Sequence, residues 1–227
     1  MSQPAFPRAE STPLLLDGPA GALELIVEAA EPPRRPLVAI VCHPLPTEGG
    51  TMHNKVVTMA ARALRECGAD TVRFNFRGVG QSAGAFDEGN GEADDLRAVA
   101  AWVRATRPDA QLWLAGFSFG AFVSLKCARA LSPGMVISIA PPAGRSWGLE
   151  HCVPPECPWL VVQGDADEVV DPADVYAWLD TVGATLPKPP TVVRMPDTSH
   201  FFHRRLIDLR GVIKNGVKAA LPPPVDG

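Results

Sequence analysis

Residues 112–131 read LWLAGFSFGAFVSLKCARAL. A short apolar run leads into Gly-Phe-Ser-Phe-Gly at 116–120, and a second apolar, helix-prone run follows. A serine between a strand and a helix sits on a sharp turn that holds its hydroxyl out of the sheet. Gly116 and Gly120 suit that turn because a Cβ at either position would crowd it. The reading makes Ser118 a nucleophile, and the remaining sequence tests it.

Working outward, LVAIVC (37–42), TVRFN (71–75), QLWLA (111–115), MVISIA (135–140), WLVVQ (159–163) and TVVRM (191–195) are further short apolar runs. They do not alternate, which predicts strands buried on both faces of a parallel sheet. Helical patterns lie between them. Asn54 is a cap for a helix reaching Cys67, with Gly68 as its stop. Leu96, Val99, Ala100 and Val103 share one face of the next helix, with Glu92, Asp94 and Asp95 at its positive end. The helix after Ser118 runs over Gly120–Leu131. Asp171 before Pro172 forms a cap and first-position pair, followed by the apolar face Val175, Trp178, Leu179 and Val182. A last helix spans Leu206 to Ala220.

This alternation predicts an α/β fold, a doubly wound and mostly parallel sheet with right-handed crossovers. Leu14–Leu16 and Leu23–Val27, joined by a turn at Asp17-Gly18, predict an antiparallel N-terminal edge, the second strand being half exposed. Residues 141–157 hold four prolines and no helical period. They predict an irregular segment at the rim of a site on the carboxyl edge of the strands. The expected organisation is a disordered stretch over 1–11, one domain over 12–220 without a cap, and a tail over 221–227.

Composition narrows the function. A net charge of −4 without a basic run argues against a nucleic-acid partner. No apolar run is long enough for a membrane span, and no signal peptide is expected at the N-terminus. The odd cysteine count of five argues against a disulfide scaffold. Cys42, Cys67 and Cys127 read as buried thiols, and a reducing cytoplasm fits. Oligomeric state stays open, a homodimer among the options.

A serine hydroxyl needs a base, and the base needs an orienting acid. In this kind of sheet both follow later strands, acid first. After WLVVQ comes GDADEVVDP. Asp171 is already the helix cap, Asp165 sits where it can brace the loop, and Asp167 at the loop tip is the chosen acid. After TVVRM comes PDTSHFFHRRL. His200 lies in the loop proper and is the chosen base, whereas His203 is close to the helix start. An oxyanion needs two amide donors. One is Phe119, and the other is expected from CHPLPTEGGTMHN (42–54). Pro44 and Pro46 lack an N–H, which leaves Leu45 between them as the donor. His43 is expected to brace that loop.

Several other signals compete. GQSAG (80–84) repeats the Gly-x-Ser-x-Gly pattern, but Ser82 has no helix directly after it and reads as a loop serine. Gly78, Gly80 and Gly84 are spaced one residue too long for a dinucleotide loop. His151, Cys152 and Cys157 are one ligand short of a metal site. No metal and no cofactor are expected. His43, Met52, Phe86, Trp147, Phe201 and Phe202 are candidates to line a substrate pocket.

At these residues the chain resembles the α/β-hydrolase superfamily, and within it the small cap-less bacterial hydrolases related to dienelactone hydrolases. The matching stretches are HPLPTEGGTMHNKVV (43–57), RFNFRGVGQSAGAFDEGNGEADD (73–95), GFSFG (116–120), GDADEVVDP (164–172) and SHFFH (199–203). The resemblance implies the triad Ser118, Asp167 and His200 and an oxyanion hole from Leu45 and Phe119. His53 stands where a small polar residue is expected. The function so expected is a serine esterase acting on short acyl esters of small molecules. The same machinery would serve a thioester, a lactone or a small amide. A non-catalytic binding protein is the reading from another class, and a full catalytic set argues against it.

Overall fold

LVAIVC becomes β3 (Leu37–Cys42), and its period of two divides the core. Val38, Ile40 and Cys42 face one layer of side chains, and Leu37, Ala39 and Val41 face the other. The computed structural model describes residues 3–7 and 9–225. Eight strands form one sheet in the order β1-β2-β4-β3-β5-β6-β7-β8. β3, β4 (Asp70–Phe74), β5 (Gln111–Phe117), β6 (Met135–Ile139), β7 (Trp159–Gly164) and β8 (Thr191–Met195) run parallel. β2 (Gly21–Glu28) pairs antiparallel with β4, and β1 (Ser11–Gly18) with β2.

Helices cover both faces. α2 (Asn90–Thr106), α3 (Phe119–Leu131) and α4 (Pro172–Gly183) seal one, and α1 (Lys55–Arg65) and α5 (Leu206–Val217) seal the other. Burying each large aliphatic side chain in these layers contributes about 1.5–3 kcal/mol. The capping residues read from sequence act as such. Asn54 Oδ1 accepts the Val56 N–H at 2.9 Å, and Asp171 Oδ1 accepts the Ala173 N–H at 2.9 Å. A short 3₁₀ turn, Lys218–Ala220, follows α5. No helix among the described residues is long and apolar enough to cross a membrane.

Four expectations need correction. β2 is not an edge strand, because β1 covers its outer side, and Leu23, Leu25 and Val27 point into the core. The hairpin turns at Pro19-Ala20 instead of Asp17-Gly18, since β1 continues through Gly18. β8 is an edge strand with Met195 alone buried, so its apolar run signalled position beside β7 and not burial on two faces. The described part of 1–11, expected to be disordered, is anchored. Phe6 stacks on Trp102 at 5.3 Å, Trp102 Nε1 donates to the Pro4 carbonyl at 2.7 Å, and Ser11 already pairs in β1. One aromatic anchor outweighs a polar, proline-bearing composition. The tail is tied as well, through Val225 N–H to the Arg34 carbonyl.

Residues 141–157 are irregular apart from one short turn at Leu149–His151, and they link β6 to β7 at the carboxyl edge. Among the cavities, one of 740 Å³ lies by Pro36, Asp70 and Ala110, and one of 140 Å³ by Met135, Trp159 and Thr191. These residues mark the amino ends of the strands, opposite the edge that carries Ser118.

Candidate active site

Ser118 joins β5 to α3 with φ +52 and ψ −119. This is a region that costs a non-glycine residue of order 1–3 kcal/mol. The surroundings hold it there. Its N–H donates to the Ile139 carbonyl at 2.8 Å, and its own carbonyl accepts Ala121 N–H at 2.9 Å. A Cβ at Gly116 would stand 2.2 Å from the Gly120 carbonyl oxygen, and one at Gly120 would stand 2.3 Å from that of Cys42. Both glycines are therefore required by close backbone contact.

The turn presents the hydroxyl to an imidazole. Ser118 Oγ is 3.1 Å from His200 Nε2, and His200 Nδ1 is 2.8 Å from Asp167 Oδ2. All three residues are buried. Asp167 also accepts the N–H groups of Val169 and Val170 on Oδ1, at 2.9 and 2.8 Å, and the Gln163 amide on Oδ2 at 3.0 Å. Burial pushes its carboxyl up, but the His200 hydrogen bond and the Val170 and Val169 amides together hold it below the usual carboxylate range. An ionised Asp167 makes Nδ1 the protonated ring nitrogen and leaves Nε2 to accept from the serine.

The other aspartates and His203 are placed elsewhere. Asp165 accepts the Tyr176 hydroxyl, and Asp171 caps α4. His203 is exposed. Ser82 is buried, with its hydroxyl donating to the Asn75 carbonyl at 2.6 Å and accepting Glu24 N–H at 3.0 Å. Those two bonds occupy it as a structural serine.

The Leu45 and Phe119 amides have no acceptor among the described residues. Leu45 is half-buried between its two prolines, and its carbonyl accepts the N–H groups of Glu48 and Gly50. His43 braces the start of this loop: Nε2 accepts Phe76 N–H at 3.0 Å, and Nδ1 lies 2.6 Å from the Pro44 carbonyl.

The pocket candidates divide. Phe86 and Trp147 are half-buried and flank the Phe119 ring at 5.6 and 5.2 Å. Phe201 is exposed and stands edge-on to the His200 ring at 5.1 Å. His43, Met52 and Phe202 are sealed from solvent and cannot line a pocket. His43 spends both ring nitrogens on backbone, and Met52 spends its N–H and carbonyl on Asn75 and Arg73. Of the three thiols expected to be buried, Cys42 and Cys127 are, and Cys67 is half-buried. Burial pushes the Cys42 thiol up to about 12 and that of Cys127 to about 11, which removes both as nucleophiles at neutral pH.

Sequence reading passed over Gln163, which holds Asp167, and Glu168, whose carboxylate accepts His200 N–H at 3.1 Å. A signal for the first existed: Gln163 is a polar residue at the carboxyl end of an otherwise apolar strand. Glu168 carries no such mark.

His43 makes stability depend on pH. Burial pushes its imidazole down from 6.5 to about 4, against a smaller upward pull from the Pro44 hydrogen bond. The unfolded chain takes up this proton near 6.5 and the folded one near 4. The contribution is therefore complete above pH 6.5 and is lost as pH falls toward 4, by about 3 kcal/mol in all. Urea unfolding at about pH 7.5 and about pH 4.5 checks this. His43→Gln is expected to be less stable at the higher pH and to lose less on acidification. Equal losses in the two proteins would contradict it.

Comparison with known proteins identifies the family of this fold. The family model for the alpha/beta hydrolase fold matches residues 40–143. The chain is 64% identical to XC6422 of Xanthomonas campestris, described as an α/β serine hydrolase without a lid. That match has a TM-score of 0.91 and covers 98% of this chain and 100% of the other. An α/β serine hydrolase homologue from Coxiella burnetii is 44% identical, with a TM-score of 0.84, over 91% of this chain and 97% of its own. The uncharacterized protein RP471 of Rickettsia prowazekii (strain Madrid E) is 37% identical over 166 residues, 71% of this chain and 69% of that protein. A turn that raises a serine toward a histidine, on a fold shared over 98% of the chain with a lidless serine hydrolase, thus has its place: the chain belongs to the α/β-hydrolase family, among the serine hydrolases without a lid.

Proposed function

We propose that the protein hydrolyses short acyl esters through a Ser118–His200–Asp167 triad and an acyl-enzyme. The observation that carries this reading is the continuous path from Ser118 Oγ to His200 at 3.1 Å and on to Asp167 at 2.8 Å. Ser118 Oγ attacks the ester carbonyl carbon while His200 Nε2 takes its proton. Asp167 stabilises the imidazolium. The carbonyl oxygen becomes an oxyanion, held by the Leu45 and Phe119 amides. His200 then protonates the leaving alkoxide. A water, deprotonated by the same nitrogen, releases the acid and restores the serine.

The preference for short acyl groups is supported by the half-buried rings of Phe86 and Trp147 beside Phe119 and by a relative described as lacking a lid. Five free cysteines suit a reducing compartment such as the cytoplasm. A fluorophosphonate probe tests the reading, combined with activated esters and thioesters of graded chain length. The wild type is expected to be labelled and Ser118→Ala not, with kcat/KM highest on short esters. Labelling that survives in Ser118→Ala would refute the nucleophile, and preference for thioesters would refute the substrate class.

A further inference from the structure

The segment RFNFRGVGQSAG (73–84) contains the second Gly-x-Ser-x-Gly match, and the proposed reaction does not use it. Its polar atoms converge on Asn75, just past the end of β4. Asn75 Oδ1 accepts the Met52 N–H at 2.9 Å, and Nδ2 donates to Glu24 Oε2 at 2.8 Å. The Gln81 N–H donates to the same carboxylate oxygen at 2.8 Å. Ser82 ties the Asn75 carbonyl to the Glu24 amide. Gly80 permits the meeting, because a Cβ there would stand 2.3 Å from Glu24 Oε2 and 2.6 Å from Asn75 Nδ2.

The neighbours of Asn75 reach the same loop. Arg73 Nη1 donates to the Met52 carbonyl at 2.6 Å, and the Phe76 N–H donates to His43 Nε2 at 3.0 Å. Residues 73–76 thus grip both ends of the loop 43–52, which carries Leu45. An amide suits position 75, where one side chain must accept from Met52 and donate to Glu24. A carboxylate would set two negative groups against each other, and an apolar residue would leave the buried Met52 N–H without its acceptor and take one donor from Glu24.

We infer that Asn75 is a positioning residue for the oxyanion hole: by holding Met52 it fixes the loop that aims the Leu45 amide. This inference rests on the acyl-transfer reading above. A donor moved by about 1 Å from its productive place loses on the order of 10²-fold in rate. Asn75→Ala is therefore expected to lower kcat on a short activated ester by about 10- to 100-fold, with KM changed less than about threefold.

The affinity for phenylboronic acid, which forms a tetrahedral adduct on serine, is expected to fall by the same factor as kcat/KM. Ser82→Ala loosens the same cluster without touching Met52, and is expected to lower the melting temperature and leave kcat within about threefold. Arg73→Met frees the Met52 carbonyl and serves as a second probe should Asn75→Ala not fold, with the same kcat-selective loss expected. Rates are taken per active site titrated with the fluorophosphonate. Unchanged kcat and boronate affinity in folded Asn75→Ala or Arg73→Met would overturn the inference while leaving the triad intact. A wild type without ester turnover or label at Ser118 would overturn both.

Discussion

Ser118→Ala is expected to lower ester turnover by about 10⁴–10⁶-fold, because no neighbouring group can replace its hydroxyl. The other serine with a similar motif, Ser82, is bonded to Asn75 and Glu24 backbone. The buried thiols Cys42 and Cys127 stay protonated at neutral pH. His200→Ala should cost a comparable factor, and the double variant little more, since the two residues act as one unit. Asp167→Asn leaves Nδ1 facing an amide and favours the wrong tautomer, a change expected to cost about 10⁴-fold. Asp165→Asn and Asp171→Asn should remain near wild type in kcat, their side chains being engaged with Tyr176 and Ala173. Steady-state kinetics on one activated ester checks the set. A larger loss in Asp165→Asn than in Asp167→Asn would move the acid.

The second large effect is on folding. Gly120→Val places a Cβ 2.3 Å from the Cys42 carbonyl oxygen and 2.6 Å from that of His43. Neither oxygen is at the end of a flexible side chain, so α3 or β3 must shift. The expected cost exceeds about 4 kcal/mol, a large share of the about 5–15 kcal/mol by which domains are stable. Gly211→Ala is the contrast. It lies inside α5, and nothing stands within 4 Å of its added Cβ. There the exchange should stabilise the fold by about 0.5–1 kcal/mol, through helix propensity. Urea unfolding of both variants reads the difference. A folded Gly120→Val with wild-type midpoint would mean that the turn is looser than its contacts imply.

The strands and the turn that holds Ser118 were legible because they depend on local pattern. LWLAGFSFG carries its strand, its turn glycines and its serine in a row. Asp167 could be separated from Asp171 because Asp171-Pro172 is a recognisable helix start. Burial across the sheet was less legible. TVVRM is as apolar as an inner strand, yet no strand pairs on its outer side among the described residues, and strand order is not written in local composition. The placing of Phe6 on Trp102 depends on residues far apart in sequence. His43 and Met52 were expected near substrate because they belong to a motif next to the site. The motif instead serves the backbone, through bonds to Phe76, Asn75 and Arg73 that become visible only when β4 lies beside β3.

The central claim is that His200 activates the Ser118 hydroxyl to carry the acyl group. Rapid quenching during turnover of p-nitrophenyl acetate, followed by peptide mass analysis, tests it directly. The expected result is one acetyl group on the peptide holding Ser118 in the wild type and none in His200→Ala. Acetyl on another residue during turnover, or full acetylation of Ser118 without His200, would contradict the account.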